Sequence, residues 1–325
     1  MVRRDMVLRS SSQRSTTKVG TLRGSRRGKK GAFNVRIASV SDLHTDYPEN
    51  RDAVVKLAIA IHEGGADVLI VAGDVSHKND RIRRALAALK EAAPIVAYIP
   101  GNHDLWFDVP FAPAREDLDT WQRYRHELRD VATEVGAHYL PAGPLYVEDV
   151  AIVGTCGWYD YSLMPQALRE GVGIEALESK QYGGVMWSDA RFIAFRDADK
   201  NLMPDVDVAR QMERELLAHV AQAEEKDGVE HIIAVTHHQP FDRVVTHTGQ
   251  MPWEFFCAFM GSEGLGRVIT SSDKIHHAIY GHTHIVGDHD VDGVRVFGTA
   301  LGYPRERKGL SEDEMVASRV GWIDL

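Results

Sequence analysis

The chain has 325 residues, of which 44% are apolar and 26% charged, and its net charge is −9. This is ordinary globular composition, with length for a substantial core. It excludes a membrane-spanning helix, since no apolar run approaches the roughly 20 residues that a bilayer crossing needs. Cys156 and Cys257, far apart and outside any CxxC spacing, exclude a disulfide scaffold and fit a reducing compartment, with the cytoplasm as the expectation.

The charge is unevenly spread. Residues 1–30 hold ten Lys/Arg and only Asp5 as an acid, so the head is +9 and residues 31–325 carry −18. The head is rich in Ser, Thr and Gly and lacks apolar periodicity, so residues 1–31 are expected to be a disordered basic extension. It has no apolar signal region, although its Arg/Ser-rich composition resembles a transit peptide. A nucleic-acid partner bound through this head is the alternative to an inert extension. The acidic body argues against wide contact with a duplex.

Order is predicted from residue 32 to the end, as one domain. "VRIASVSD" (Val35–Asp42) is a β-rich run with a polar end. "AVVKLAIAIHEGG" (Ala53–Gly65) has helical apolar spacing and a Gly-Gly stop. "DVLIVAGD" (Asp67–Asp74) is a continuous apolar run, as in a strand covered on both faces. A helix stopped by Pro94 and a second buried strand, "IVAYIPGNHD" (Ile95–Asp104), follow. This β-α-β-α-β order predicts parallel strands with helical crossovers.

Pro113–Val135 is predicted helical, and "LYVEDVAIVGTCGWYDYS" predicts two strands joined at Glu148-Asp149. Residues 171–199 have no clear period and read as an insertion. Asp207–Glu225 is an amphipathic helix with Met212, Leu216, Val220 and Ala223 on its core stripe. "HIIAVTHH" and "HHAIYGHTH" are further strands with polar ends. "GDHDVDGVRVFG" predicts a hairpin at Asp292-Gly293, and "RVGWIDL" a last strand.

Five strand-like runs thus end in metal-competent residues: Asp42 and His44; Asp74; Asn102, His103 and Asp104; His237 and His238; His282 and His284. In open α/β sheets ligands bind at the carboxyl ends of strands. Carboxylate, imidazole and amide oxygen without thiolate suit borderline divalent metals such as Mn²⁺, Fe, Zn²⁺, Co²⁺ or Ni²⁺, and Mn²⁺ is the expected ion. The set exceeds the needs of one tetrahedral ion and fits two divalent ions about 3.5–4 Å apart.

The set Asp-x-His, Gly-Asp, Gly-Asn-His-Asp, His, Gly-His-x-His resembles the calcineurin-like metallophosphoesterase superfamily, over about Val35 to Ala300. The resemblance implies a mixed α/β fold, a four-layer sandwich of two facing mixed β-sheets flanked by helices. It implies that Asp42, His44, Asp74 and His284 hold one ion. Asp74, Asn102, His237 and His282 would hold the other, with Asp74 bridging. It favours His237 over His238 as ligand. It also implies a phosphoesterase acting on phosphomonoesters or phosphodiesters by direct attack of a metal-activated hydroxide, with His103 protonating the leaving oxygen. Asp104 either orients His103 or caps the turn.

The chain departs from the superfamily's Ser/Thr protein phosphatases, which carry "GDxVDRG" and "GNHE" where this sequence has "GDVSH" and "GNHD". It stands closer to the phosphodiesterase-like and nuclease-like branches, with a small phosphoester as expected substrate and a nucleotide or nucleic acid as the alternative. A non-catalytic metal-bound scaffold is the reading from another class, opposed by the intact ligand set. Trp106, Phe107 and the aromatic stretch "GWYDYS" either line the substrate approach or pack the loops. Arg305 and Arg307 in "LGYPRER" are candidate phosphate contacts.

Overall fold

The computed structural model describes residues 35–109 and 111–325. The basic head lies outside the described residues. Among the described residues thirteen strands run in chain order as β1 (Arg36–Val40), β2 (Val68–Ala72), β3 (Ile95–Ile99), β4 (His138–Tyr139), β5 (Leu145–Val147), β6 (Val150–Thr155), β7 (Gln181–Tyr182), β8 (Val185–Met186), β9 (His231–Thr236), β10 (Ile275–Tyr280), β11 (Gly287–Val291), β12 (Val294–Gly298) and β13 (Gly321–Asp324).

They form two mixed sheets and a small hairpin. One sheet has the order β13-β1-β2-β3-β4, the other β11-β12-β10-β9-β6-β5, and β7 pairs only with β8. β1 to β4 are mutually parallel, and β13 closes that edge antiparallel to β1. In the second sheet β6, β9, β10 and β12 are parallel, with β5 and β11 antiparallel at the two edges. The strands that end in metal-competent residues therefore do not share one sheet. β1, β2 and β3 come from the first sheet, β9 and β10 from the second.

Period-two alternation in fully buried strands explains the layering. Ile37, Val68, Ile70, Ala97 and Ile99 meet Ile152, Ile233, Val235 and Ile279 between the sheets. The alternate residues Ala38, Leu69, Val71 and Val96 face outward onto Leu57 and Ile61 of the helix Pro48–Gly64 and Leu86 and Leu89 of the helix Asn79–Lys90. On the far side Ala151, Val153, Ala234 and Ala278 face Leu216, Val220 and Ala223 of the helix Asp205–Glu224. The result is the expected four-layer sandwich.

Local differences have local causes. The helix expected over Pro113–Val135 begins at Thr120, because the Asp119 carboxylate accepts from Trp121 N at 2.9 Å and starts it there. Pro113 sits in a separate turn, Ala112–Ala114. The predicted hairpin turn is present, with Asp292 and Gly293 both at positive φ. Cys156 and Cys257 are both buried and free. No helix among the described residues is long and apolar enough to cross a membrane.

Candidate metal centre

The residues after β1, β2 and β10 leave their strands through left-handed turns. Asp42, His44, Asp74, His282 and His284 all have positive φ, between 39° and 75°. Such backbone is costly for non-glycine residues and concentrates at functional sites. It is held by bonds between neighbouring strand ends: Asp42 N donates to Gly73 O and His44 N to Asp74 O, each at 2.9 Å. His282 N donates to Asp42 Oδ1 at 2.9 Å, which joins the second sheet to the first.

Close approach of these ends requires glycine. A Cβ on Gly73 would lie 2.6 Å from Gly101 N and 2.6 Å from His237 Nδ1. One on Gly281 would lie 2.8 Å from Asp42 Oδ2 and 2.9 Å from His237 Nδ1. Gly281 thus serves space rather than turn conformation.

All seven residues expected as metal ligands meet here. Asp42, His44, Asp74 and His284 form one metal-competent group, and Asp74, His237 and His282 another. His44 Nε2 and His284 Nε2 lie 2.8 Å apart, with His44 Nε2 3.7 Å from Asp74 Oδ2 and His284 Nε2 3.6 Å from Asp42 Oδ1. On the other side His237 Nε2 is 3.3 Å from Asp74 Oδ1 and 3.3 Å from Asn102 Oδ1, and His282 Nδ1 is 3.0 Å from Asn102 Oδ1. Asp74 therefore presents one oxygen to each group.

Bonds on the far side of each ring select the free nitrogen. His237 Nδ1 donates to Ala72 O at 2.9 Å, His282 Nε2 to Phe259 O at 3.1 Å, and His284 Nδ1 to Glu306 Oε2 at 2.9 Å. A carbonyl or carboxylate can only accept, so the inward nitrogens are the ones left to bind a cation. Asp42 Oδ2 is buried with no hydrogen-bond partner. Buried carboxylate oxygens are rarely orphaned, so this donor set fits divalent cations.

Electrostatics agree with that fit. Burial holds His44 and His282 well below the ordinary imidazole range, so both are neutral. Burial also lifts the Asp42 carboxyl. Burial acts upward on Asp74 as well, but the surrounding imidazoles, His237 first, hold it well below its usual value. Burial pulls His237 down, yet Asp74 as charge and acceptor outweighs this and lifts the ring to about 9. A cation must displace that proton.

His238 does not join either group. It is fully buried, its Nδ1 lies 3.3 Å from Cys156 O, and burial with His237 alongside lowers it to about 3. His103 Nε2 lies 3.9 Å from Asp74 Oδ2, and its ring stacks on Trp106 at 3.7 Å and 27°. Burial lowers His103 although its side chain keeps 20% exposure.

The Asp104 carboxylate makes the bonds of a turn cap. It accepts from Val75 N and Ser76 N at 2.8 Å each and from Gly101 N at 2.9 Å. No bond to His103 is among them, so the orienting role considered for Asp104 has no contact behind it. Burial and Asp74 push this carboxyl up to about 7, against the pull of its backbone donors.

The aromatic stretches divide. Trp158, Tyr159 and Tyr161 are buried and pack the loops, whereas Trp106 stays half-buried beside His103. Arg305 lies over Tyr303, and Arg307 bonds Asn50. Sequence reasoning passed over two carboxylates. Glu306 bonds His284, and no sequence signal marks it, because Tyr303 three residues before it is not the Ser or Thr that a capping box requires. Asp189 accepts from Asn102 Nδ2 at 3.0 Å and stands in the unassigned insertion, where no signal marks it.

The model of the calcineurin-like phosphoesterase family matches residues 35–286. The acyl-carrier-protein phosphodiesterase PptH of Mycobacterium tuberculosis is 27% identical over 277 residues, which is 82% of this chain and 78% of that protein. The crystal structure of that phosphopantetheinyl hydrolase superposes with a TM-score of 0.62 at 22% identity, covering 89% of this chain and 96% of its own. A dimetal phosphatase from Danio rerio gives 0.48 at 13% identity, over 81% of this chain and 86% of its own. The chain belongs to the calcineurin-like phosphoesterase family, and it is a metal-binding hydrolase of phosphoester bonds.

Proposed function

We propose that the protein is a dinuclear phosphodiesterase whose substrate is a diester joining a phosphopantetheinyl arm to an acyl carrier protein. The observation that carries the dinuclear reading is the position of Asp74, one oxygen toward each ligand group. Asp42, His44, Asp74 and His284 would hold one divalent ion. Asp74, Asn102, His237 and His282 would hold the other. Mn²⁺ is the ion expected here, and Fe, Zn²⁺, Co²⁺ or Ni²⁺ also suit this mixed nitrogen and oxygen set. When bound, the two ions supply the Lewis acidity that neutralises phosphate charge and activates water.

The chain's own residues supply orientation and a proton. His237, His282 and His284 are locked by Ala72, Phe259 and Glu306, so the site is organised before substrate arrives. His103 is the imidazole with an exposed edge beside Asp74, and it is placed to protonate the leaving oxygen. Trp106 fixes its ring plane. Both alcohols of the proposed diester are aliphatic and leave poorly without a proton, which gives His103 a purpose. Similarity to PptH supports the phosphopantetheinyl arm.

The test is incubation of the full chain, loaded with Mn²⁺, with a phosphopantetheinylated carrier protein. Intact-protein mass spectrometry should show loss of the arm. Bis(p-nitrophenyl) phosphate should also be cleaved. Cleavage of the nitrophenyl diester with an untouched carrier protein would refute the substrate, and turnover of neither would refute the diesterase reading.

A further inference from the structure

The insertion sends one carboxylate to the edge of the metal centre. Asp189 opens the one-turn helix Asp189–Phe192 and is 1% exposed. Its Oδ1 accepts from Asn102 Nδ2 at 3.0 Å and from Trp106 Nε1 at 2.6 Å. Its Oδ2 accepts from Trp187 Nε1 at 2.8 Å and from Tyr159 OH at 3.2 Å. These four donors are neutral. Burying an anion on neutral donors is expensive, and packing alone would be served as well by an apolar residue.

We infer that Asp189 is a positioning residue which decides how Asn102 faces its cation. An asparagine amide has two ends of nearly equal size, and only the oxygen can ligate. Flipped over, the side chain would present NH₂ to the ion. A carboxylate can only accept, so Asp189 admits only the NH₂ on its own side. The amide oxygen is thereby turned toward His237 and His282. The same carboxylate anchors the indole that stacks on His103 and the indole whose ring meets His282 edge-on at 5.6 Å.

This rests on the two-ion reading. The experiment titrates the metal-free full chain with Mn²⁺, reading stoichiometry by calorimetry and the coupled-pair signal by electron paramagnetic resonance. The wild type should bind two ions and give a coupled spectrum. Asp189→Leu, which cannot accept, should retain one site, bind the second about 10–100-fold more weakly and show the spectrum of isolated Mn²⁺. Tyr159→Phe, which removes a donor on the other oxygen, should keep both sites. Unchanged affinities in Asp189→Leu would overturn the assignment, as would an equal loss in Tyr159→Phe. A wild type that holds one Mn²⁺ would remove the two-ion reading itself, and the role of Asp189 with it.

Should Asp189→Leu not fold, the wild type still decides. In ¹⁵N-labelled protein loaded with Zn²⁺, the Asn102 side-chain NH₂ should exchange slowly with solvent. Rapid exchange would show an amide that Asp189 does not hold.

Discussion

His103 is the imidazole at the rim whose far side rests on an aromatic face rather than on a bonding partner that would fix it as a ligand. Its expected task is delivery of a proton, so its loss should depend on the leaving group. His103→Ala should cut kcat about 10²–10⁴-fold on an aliphatic diester, the usual worth of a general acid. On bis(p-nitrophenyl) phosphate, whose phenolate departs without help, the loss should be much smaller. Mn²⁺ stoichiometry should not change. Equal losses on both substrates would remove the acid role.

Glu306 acts one bond further out. It accepts from His284 Nδ1 and from Tyr303 N at 2.8 Å, so it fixes both the ring and the loop beside it. The ring is lifted overall, because Glu306 and Asp42 outweigh the downward effect of burial. Glu306→Ala should weaken Mn²⁺ about tenfold at the site of Asp42, His44 and His284, in keeping with other carboxylates behind metal-bound histidines. Glu306→Gln, which can still accept, should lose less. Metal titration of both variants checks this, and equal losses would count against an orienting bond.

At the scale of elements, the strand ends are legible because buried parallel strands are written as continuous apolar runs, and polar residues at their carboxyl ends stand out. Val68–Ala72 followed by Gly73-Asp74 is such a case. Periodicity does not say which sheet a strand joins: the resemblance implied two sheets, and only the structure divides β1 to β3 from β9 and β10. Nor does it mark irregular segments, where tertiary bonds rather than local pattern fix the chain. Asp189 has that kind of place, and so does the loop between the turn Asp242–Val244 and the helix Trp253–Cys257.

That loop is organised around Glu254, which accepts from Thr248 N and Gly249 N and from His247 Nδ1 at 2.8 Å. His247 Nε2 lies 3.0 Å from Asp242, so both ring nitrogens meet carboxylates. Burial acts to lower His247, but Glu254 and Asp242 raise it above 6.5. Burial acts to raise Glu254, but His247 and the two backbone donors hold it below 4.5. A raised histidine stabilises fully below 6.5 and loses its contribution as pH rises through its folded value. A lowered glutamate stabilises above 4.5 and loses its contribution as pH falls through its folded value. The Tm difference between wild type and His247→Asn should therefore be largest between these limits and shrink on either side. A difference that grows above neutral pH would reject the pairing.

For the whole molecule, the centre joins two sheets whose shared core ends just beneath it. Ile70, Ala72 and Ile99 meet Val235 and Ile279, and the strands then break into left-handed turns carrying Asp42, Asp74 and the imidazoles of His44, His282 and His284, with His237 beside them. Without cations this rim combines left-handed backbone, costing of order 1 kcal/mol per residue, with two buried carboxylates, Asp42 and Asp74, that repel each other. Cations bound only by the folded chain must therefore stabilise it. At a hundred times Kd each ion contributes about 2.7 kcal/mol. Two ions contribute about 5 kcal/mol, and at roughly 2 °C per kcal/mol for a large domain this is about 10 °C in Tm. Thermal unfolding of the full chain in EDTA and then in excess Mn²⁺ measures the difference. Mg²⁺, which prefers all-oxygen shells, should restore less of it. Equal Tm values with and without Mn²⁺ would mean that the two sheets hold the rim together unaided, and that the ions serve chemistry alone.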